Sequence, residues 1–244
     1  MTVAPTPIRT GREWHPWRWA LIVLAAFLLG GVVVALLYCF DVLGGSSSAA
    51  DLEGSGISAA QARRVAPFDG VELARSNNVV VHVGGRQSVV VRADDNLLDR
   101  VTTAVRSQTL VVGTLAGSFT TRSPMSVEVA VPTLGALTLS GSGNIVVDGV
   151  AARALTVRLP GSGTLTGRGT AARLDLSVAG SGSVQFTGLV AEDVRAAVSG
   201  SGSVFVTATR SLHGAISGSG SILYGGSPAS VRKDVTGSGA IVGG

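Results

Sequence analysis

Leu159-Pro160-Gly161-Ser162-Gly163-Thr164-Leu165 is one of six near-copies, and their spacing decides the fold. The other five centre on Gly141-Ser142-Gly143, Gly180-Ser181-Gly182, Gly200-Ser201-Gly202, Gly218-Ser219-Gly220 and Gly237-Ser238-Gly239. The steps between first glycines are 20, 19, 20, 18 and 19 residues. A fixed period in this range marks a stacked repeat architecture and outranks any local reading. Four residues after each first glycine stand Ile145, Leu165, Val184, Val204, Ile222 and Ile241. Two residues before it stand Leu139, Leu159, Val178, Val198, Ile216 and Val235. Between the aliphatic positions come small or polar residues such as Thr138, Ser177 and Ala197. This alternation is the period of a β-strand with one buried face.

Two short strands cannot bury a face by themselves. Stacked on the next copy, each strand pairs with its equivalent at about 4.8 Å, and the aliphatic columns join into one core. The sequence therefore predicts an all-β, parallel β-solenoid with coils of about 20 residues. Glycine suits the bend because it accepts positive φ and lets backbones approach closely. The central serines are expected to hydrogen-bond along the stack. The rival reading is a phosphate cradle, but such Gly-rich loops open helices and no helical pattern follows here.

Composition agrees with a thin repetitive β protein: 34 glycines and only 5% aromatic residues in 244. The formal charge is +4. Arg9, Arg12 and Arg18 lie near the N-terminus, leaving 16 basic and 13 acidic residues beyond position 41. These are scattered, so nucleic acid is not an expected partner. Cys39 is the single cysteine, which excludes an intramolecular disulfide framework and a cysteine metal cluster.

Residues 1–18 read as a cytoplasmic tail. Residues 19–41 read as one transmembrane signal-anchor helix, with no charge from Trp19 to Phe40 and Asp41 just beyond. Trp14, Trp17, Trp19 and Tyr38 flank it as interfacial aromatics do, and the leading arginines orient the N-terminus to the cytoplasm. That places the protein in the inner membrane as a single-pass species, with its C-terminal part periplasmic or extracellular. A cleaved signal peptide and a lipoprotein modified at Cys39 are the alternatives. The apolar run exceeds a signal-peptide core, and Tyr38 is too bulky for a lipidation site.

Residues 42–65, rich in Gly, Ser and Ala and including Gly54-Ser55-Gly56, are expected to be a flexible linker. Residues 66–134 form an irregular β region, read as degenerate coils or as a cap on the first end. Leu97–Val101 is either a helical turn or a strand. Residues 135–244 are the regular Gly-Ser-Gly solenoid. Its last coil puts Lys233 in an inward column held elsewhere by Leu137, Val157, Leu176, Ala196 and Gly214. A charge there is expected to stop further stacking.

Phe68-Asp69-Gly70-Val71, Asp95-Asn96-Leu97-Leu98, the strand closed by Pro132, the successive aliphatic-x-Gly-Ser-Gly copies and Ile222-Leu223-Tyr224-Gly225-Gly226-Ser227-Pro228 together resemble a bacterial family, the head GIN domain. That family is described as the head of an auto-transporter adhesin, and its activity is unestablished. The resemblance spans roughly 66–242 and implies the fold and a surface role. An auto-transporter needs a β-barrel, and no set of barrel strands remains unassigned here. The apolar segment argues instead for a tethered ectodomain.

The sequence offers no catalytic constellation, cofactor motif or metal-ligand spacing. His15, His82 and His213 read as surface histidines. No serine sits in a Gly-x-Ser-x-Gly elbow. The acidic pairs Asp94-Asp95 and Glu192-Asp193 read as solvated loop residues, because neighbours on a strand point to opposite faces. One outward column, five residues after each first glycine, reads Val146, Thr166, Gln185, Phe205, Leu223 and Val242. Phe205 and Leu223 are candidate partner contacts, the alternative being that another part of the chain covers them. The expected function is a non-catalytic, membrane-anchored solenoid for adhesion or for binding an envelope protein or polysaccharide. A self-assembling envelope scaffold is the alternative, and an enzyme acting on polysaccharide a more distant one.

Overall fold

The computed structural model describes residues 52–244. The expected tail, the anchor helix 19–41, Cys39 and the first part of the linker lie outside the described residues. Among the described residues no helix is long and apolar enough to cross a membrane.

The repeat alternation folds into an all-β parallel solenoid. Asn144–Leu159, Thr164–Val178, Ser183–Gly200 and Ser203–Gly218 each run through nearly a whole coil and pair in parallel with the next. The predicted columns are in register: Ile145, Leu165, Val184, Val204, Ile222 and Ile241 pair successively. So do Leu159, Val178, Val198, Ile216 and Val235. All of these except Val235 are buried, and they form one continuous core. Each coil bends again after its first strand, where the register shifts between Val147 and Val150. Two consecutive exposed residues, Arg153 and Ala154, mark the next bend.

The corners explain the glycines. A Cβ on Gly218 would sit 2.6 Å from the Gly200 carbonyl oxygen, and one on Gly237 2.5 Å from that of Gly218. Gly161, Gly163 and Gly180 press equally closely on the corner below. Gly218 also holds φ at 138°, a conformation that side-chain-bearing residues avoid. Close stacking lets the carbonyls accept backbone hydrogen bonds directly: Ser162 N–H to Gly141, Ser203 N–H to Gly182 and Ser221 N–H to Gly202, at 3.0–3.2 Å. The stack is tied by backbone at this edge. The expected hydroxyl ladder is not formed, since the central serines point into solvent.

Core columns adjust volume between coils. Gly167 pairs with Val147 on one side, and the fully buried Phe186 ring lies where a Gly167 side chain would go, 2.7 Å from its notional Cβ. Gly214 likewise leaves room for Ile241. A large residue beside a small one keeps the column filled.

The opening region both continues the stack and closes it. Gly70–Leu73 pairs in parallel with Ala136–Leu139 and with Thr109–Thr114; Asn78–Val83 pairs in parallel with Asn144–Leu159 and Ser126–Val131. Beyond these the sense reverses. Ser88–Asp94 runs antiparallel to Ser126–Val131, and Val101–Arg106 antiparallel to Thr109–Thr114. Antiparallel strands end the parallel ladder and protect its edge. The undecided stretch is a short 3-10 helix, Asp95–Arg100, with Leu97 buried.

The linker expectation needs correction over its second half. Leu52–Glu53 pairs in parallel with Phe119–Thr120, and Ser58–Ala62 adds an antiparallel strand to Ser88–Asp94. Leu52–Glu53 forms a separate two-stranded sheet with Phe119–Thr120, Ser58–Ala62 is a mostly exposed edge strand, and backbone pairing holds both. Gly54-Ser55-Gly56 is a built turn rather than spacer.

At the other end, among the described residues, nothing covers the last coil. Val231 and Val235 are 39% and 45% exposed, while their column partners Leu212 and Ile216 are each 2% exposed. Lys233 pairs in register with Gly214, in the predicted column. Its ammonium donates to the Ile241 carbonyl at 3.0 Å and lies 5.2 Å from the Tyr224 ring centre. The lysine thus lies across the open end of the core, as an inward charge at a sheet edge does.

Candidate functional site

Three exterior features remain once the core is accounted for. The first is charged, and its groups are paired. Asp193 accepts from Arg210 Nε at 2.9 Å and from the Ser211 hydroxyl at 2.7 Å, and Arg210 also reaches Glu192 at 3.0 Å. The Arg210 hydrogen bonds, then Ser211, hold the Asp193 carboxyl well below the usual carboxylate range. His213 meets Asp234 at 2.9 Å, and Arg232 Nε meets the same carboxylate at 3.0 Å. The Glu192-Asp193 pair is therefore a clasp on Arg210 rather than an acid/base couple. Among the described residues no cluster of three or more His, Cys, Asp or Glu is placed to hold a metal.

The second feature is the apolar strip. Gln185, Phe205, Leu223 and Val242 stand in successive register on the outside of adjacent coils. Leu223 is 41% exposed, Val242 is exposed and Phe205 is half-buried. Phe205 and Leu223 are direct strand neighbours, and Val242 extends the patch to the open end.

The third feature is a cavity of about 730 Å³ at the corner where the glycine ladder meets the opening region. Leu73 pairs with Leu139 and Asn78 with Asn144, so Arg75-Ser76-Asn77 occupy the corner that Gly141-Ser142-Gly143 occupy in the next coil. One coil further out the corner is longer. Residues 74–77 join Leu73 to Asn78, whereas residues 113–125 join their register partners Val112 and Ser126. That longer loop stands away from the stack. Space opens between it and the corner, bordered by Arg75, Asn77, Asn78, Phe119, Thr121 and Met125.

Asp94 holds this loop in place. It is fully buried, and its carboxylate accepts from the backbone N–H groups of Gly56 at 3.0 Å, Arg122 at 2.9 Å and Ser123 at 3.1 Å. Burial pushes its pKa up, but the hydrogen bonds from Arg122, Ser123 and Gly56 outweigh that, so it titrates below the ordinary carboxylate value. Gly54 is required beside it, because a Cβ there would collide with the carboxylate. Asp94 is thus a structural anion rather than the solvated loop residue expected. Asp95 is exposed and accepts from the Ser55 hydroxyl and from the Asn96 N–H. No periodicity marks Asp94, and its partners lie 28–38 residues away in the chain; sequence spacing carries no signal for it.

No curated protein matches the chain. A crystal structure of a putative adhesin from Bacteroides fragilis superposes with a TM-score of 0.66 at 23% identity, covering 79% of this chain and 99% of that one. A putative adhesin from Parabacteroides distasonis superposes with a TM-score of 0.50 at 21% identity, covering 80% and 100%. At this identity the likeness is one of fold. Residues 67–228 match the family described as "Putative auto-transporter adhesin, head GIN domain". That span takes in both capping strands, the corner cavity and nearly the whole glycine ladder, and the chain belongs to this head GIN domain family.

Proposed function

We propose that this protein is a membrane-anchored, outward-facing, non-catalytic solenoid that binds a partner in the cell envelope. The observation that carries the reading is the contrast between its outer features. The acidic pairs at Asp94-Asp95 and Glu192-Asp193 are engaged in structural bonds, while an apolar strip and a corner cavity stand open on a rigid frame. A rigid, regular support with a few open contact features suits recognition better than turnover. The adhesin descriptions of the family and of the similar structures point the same way. Residues 19–41 supply the anchor, with the N-terminus cytoplasmic.

Two measurements test this. The full chain should resist carbonate extraction from membranes, and its release would remove the anchor. Immobilised full chain should retain envelope fractions, and uniform lack of binding would remove the adhesive role. The second reading is a self-assembling scaffold. It is favoured by one observation, the exposure of Val231 and Val235 on the last described coil. Lys233 across that end opposes it. Light scattering of the full chain in detergent should stay constant with concentration, and should rise with concentration for Lys233→Val; growth of the wild-type chain would favour the scaffold.

A further inference from the structure

We propose that the corner cavity bounded by Arg75, Asn77 and Phe119 binds a short acidic glycan through a sugar carboxylate. The proposal rests on the envelope-binding reading and gives that reading a ligand class.

Arg75-Ser76-Asn77 departs from the glycine rule of the other corners. Glycine is enforced wherever one corner stacks closely on the next. At Arg75-Ser76-Asn77 the outer neighbour is the displaced loop 113–125, so the constraint is lifted and side chains fill the corner. Those side chains carry hydrogen-bonding chemistry. Arg75 is exposed, has no carboxylate partner among the described residues, as several other surface arginines do not, and is the one charged residue that lines the cavity. A guanidinium presents a planar fork that matches a carboxylate.

The corner also holds an unanswered donor. Asn77 is 4% exposed, and its amide nitrogen has no hydrogen-bond partner in the protein. Buried donors are almost always satisfied, so one without a protein partner on a residue bordering the cavity marks a place where a small shift on ligand binding completes the set. The rest of the lining suits a sugar. Asn78, Thr121 and Ser142 offer amide and hydroxyl groups, and the half-buried Phe119 offers an apolar ring to the C–H face of a pyranose. The volume of about 730 Å³ lies within the range of small-ligand sites and accommodates a di- or trisaccharide.

The loop beside the cavity is preorganised. Phe119–Thr120 is pinned by pairing with Leu52–Glu53, and Arg122 and Ser123 by the buried Asp94 carboxylate. Arg122 is further tied to Glu53. The loop side of the cavity therefore needs little ordering when a ligand enters.

The test is calorimetric titration of the full chain in detergent with trigalacturonate, with neutral galactotriose and with an acidic tripeptide. The expected result is that trigalacturonate binds at least ten-fold more tightly than either of the others. Arg75→Gln should lower that affinity at least ten-fold without changing the melting temperature, and Arg75→Lys should restore part of it. Phe119→Ala should weaken both sugars. Equal binding of galactotriose, stronger binding of the peptide, no binding of trigalacturonate, or an Arg75→Gln affinity equal to wild type would each overturn the proposal. Retention of envelope fractions is measured on the same samples. Arg75-dependent binding of trigalacturonate without envelope retention upholds the cavity and removes the envelope reading. Envelope retention with no trigalacturonate binding does the reverse.

Discussion

Asn77 and Gly163 stand at the same corner of different coils, and the contrast between them separates the two regions of this protein. From residue 135 onward every Gly-Ser-Gly corner is stacked directly on another, and the backbone contact admits only glycine at its first and third positions. Before residue 135 the corner is interrupted by the loop 113–125, and Arg75 and Asn77 occupy it. The regular region repeats one solution: in-register aliphatic columns, glycine corners and a backbone ladder. The opening region spends the same parallel pairing on two coils, then reverses strand direction and adds polar junctions. Regularity builds the rod, and departures from it create both the closed end and the cavity.

The comparison can be broken most forcefully in the core. Phe186→Ala removes the ring that fills the space beside Gly167, and it should destabilise by about 3–5 kcal/mol in denaturant unfolding. Gly167→Ala in that background should recover part of the loss, whereas in the wild-type chain it should clash with the ring. A similar cost for Gly167→Ala in both backgrounds would mean that the column does not share volume.

The corners come next. Gly218→Ala forces a side chain into positive φ and against the Gly200 carbonyl, and should cost on the order of 1–3 kcal/mol. Gly85→Ala, in the opening region, meets only Ala130 Cβ at 3.8 Å and should be neutral within about 0.5 kcal/mol. Equal effects at the two positions would erase the distinction drawn here.

A third variant tests the junction. Asp94→Asn keeps the shape and loses the charge that three backbone N–H groups address, so the melting temperature should fall and proteolysis within 113–125 should quicken. The pH dependence has a definite sign. The folded pKa is depressed, so the contribution of Asp94 is complete above the ordinary carboxylate value and disappears as pH falls through the lower folded value. Acid unfolding of the wild-type chain should therefore show a step below the ordinary carboxylate range that Asp94→Asn lacks.

A small stability effect is also expected on the strip. Phe205→Ser with Leu223→Ser should shift stability by no more than about 1 kcal/mol while lowering retention of envelope fractions. Unchanged retention with a large loss of stability would mean that the strip is covered by the protein itself.

Much of this was legible from residue order because the controlling interactions repeat. Ile145 pairs with Leu165, and Leu165 with Val184, through identical geometry at a fixed chain separation, so the alternation and the glycine steps announce them. Lys233 was legible for the same reason, since it breaks a column visible in the other coils. Gly54-Ser55-Gly56 misled. It has the ladder's letters and a linker's surroundings, and its job is to fit around Asp94, which sits far along the chain in a different element.

Residue order alone determined the coil length, the inward columns, the glycine corners and the guarded last coil, because each depends on contacts between equivalent positions of neighbouring repeats. Only the tertiary structure decided that the first end closes with antiparallel strands and that Asp94 is a buried anion. The same holds for the loop 113–125, whose stand from the stack leaves a cavity. Those features arise from single, non-repeating contacts between distant segments, and such contacts leave no period for a sequence to display.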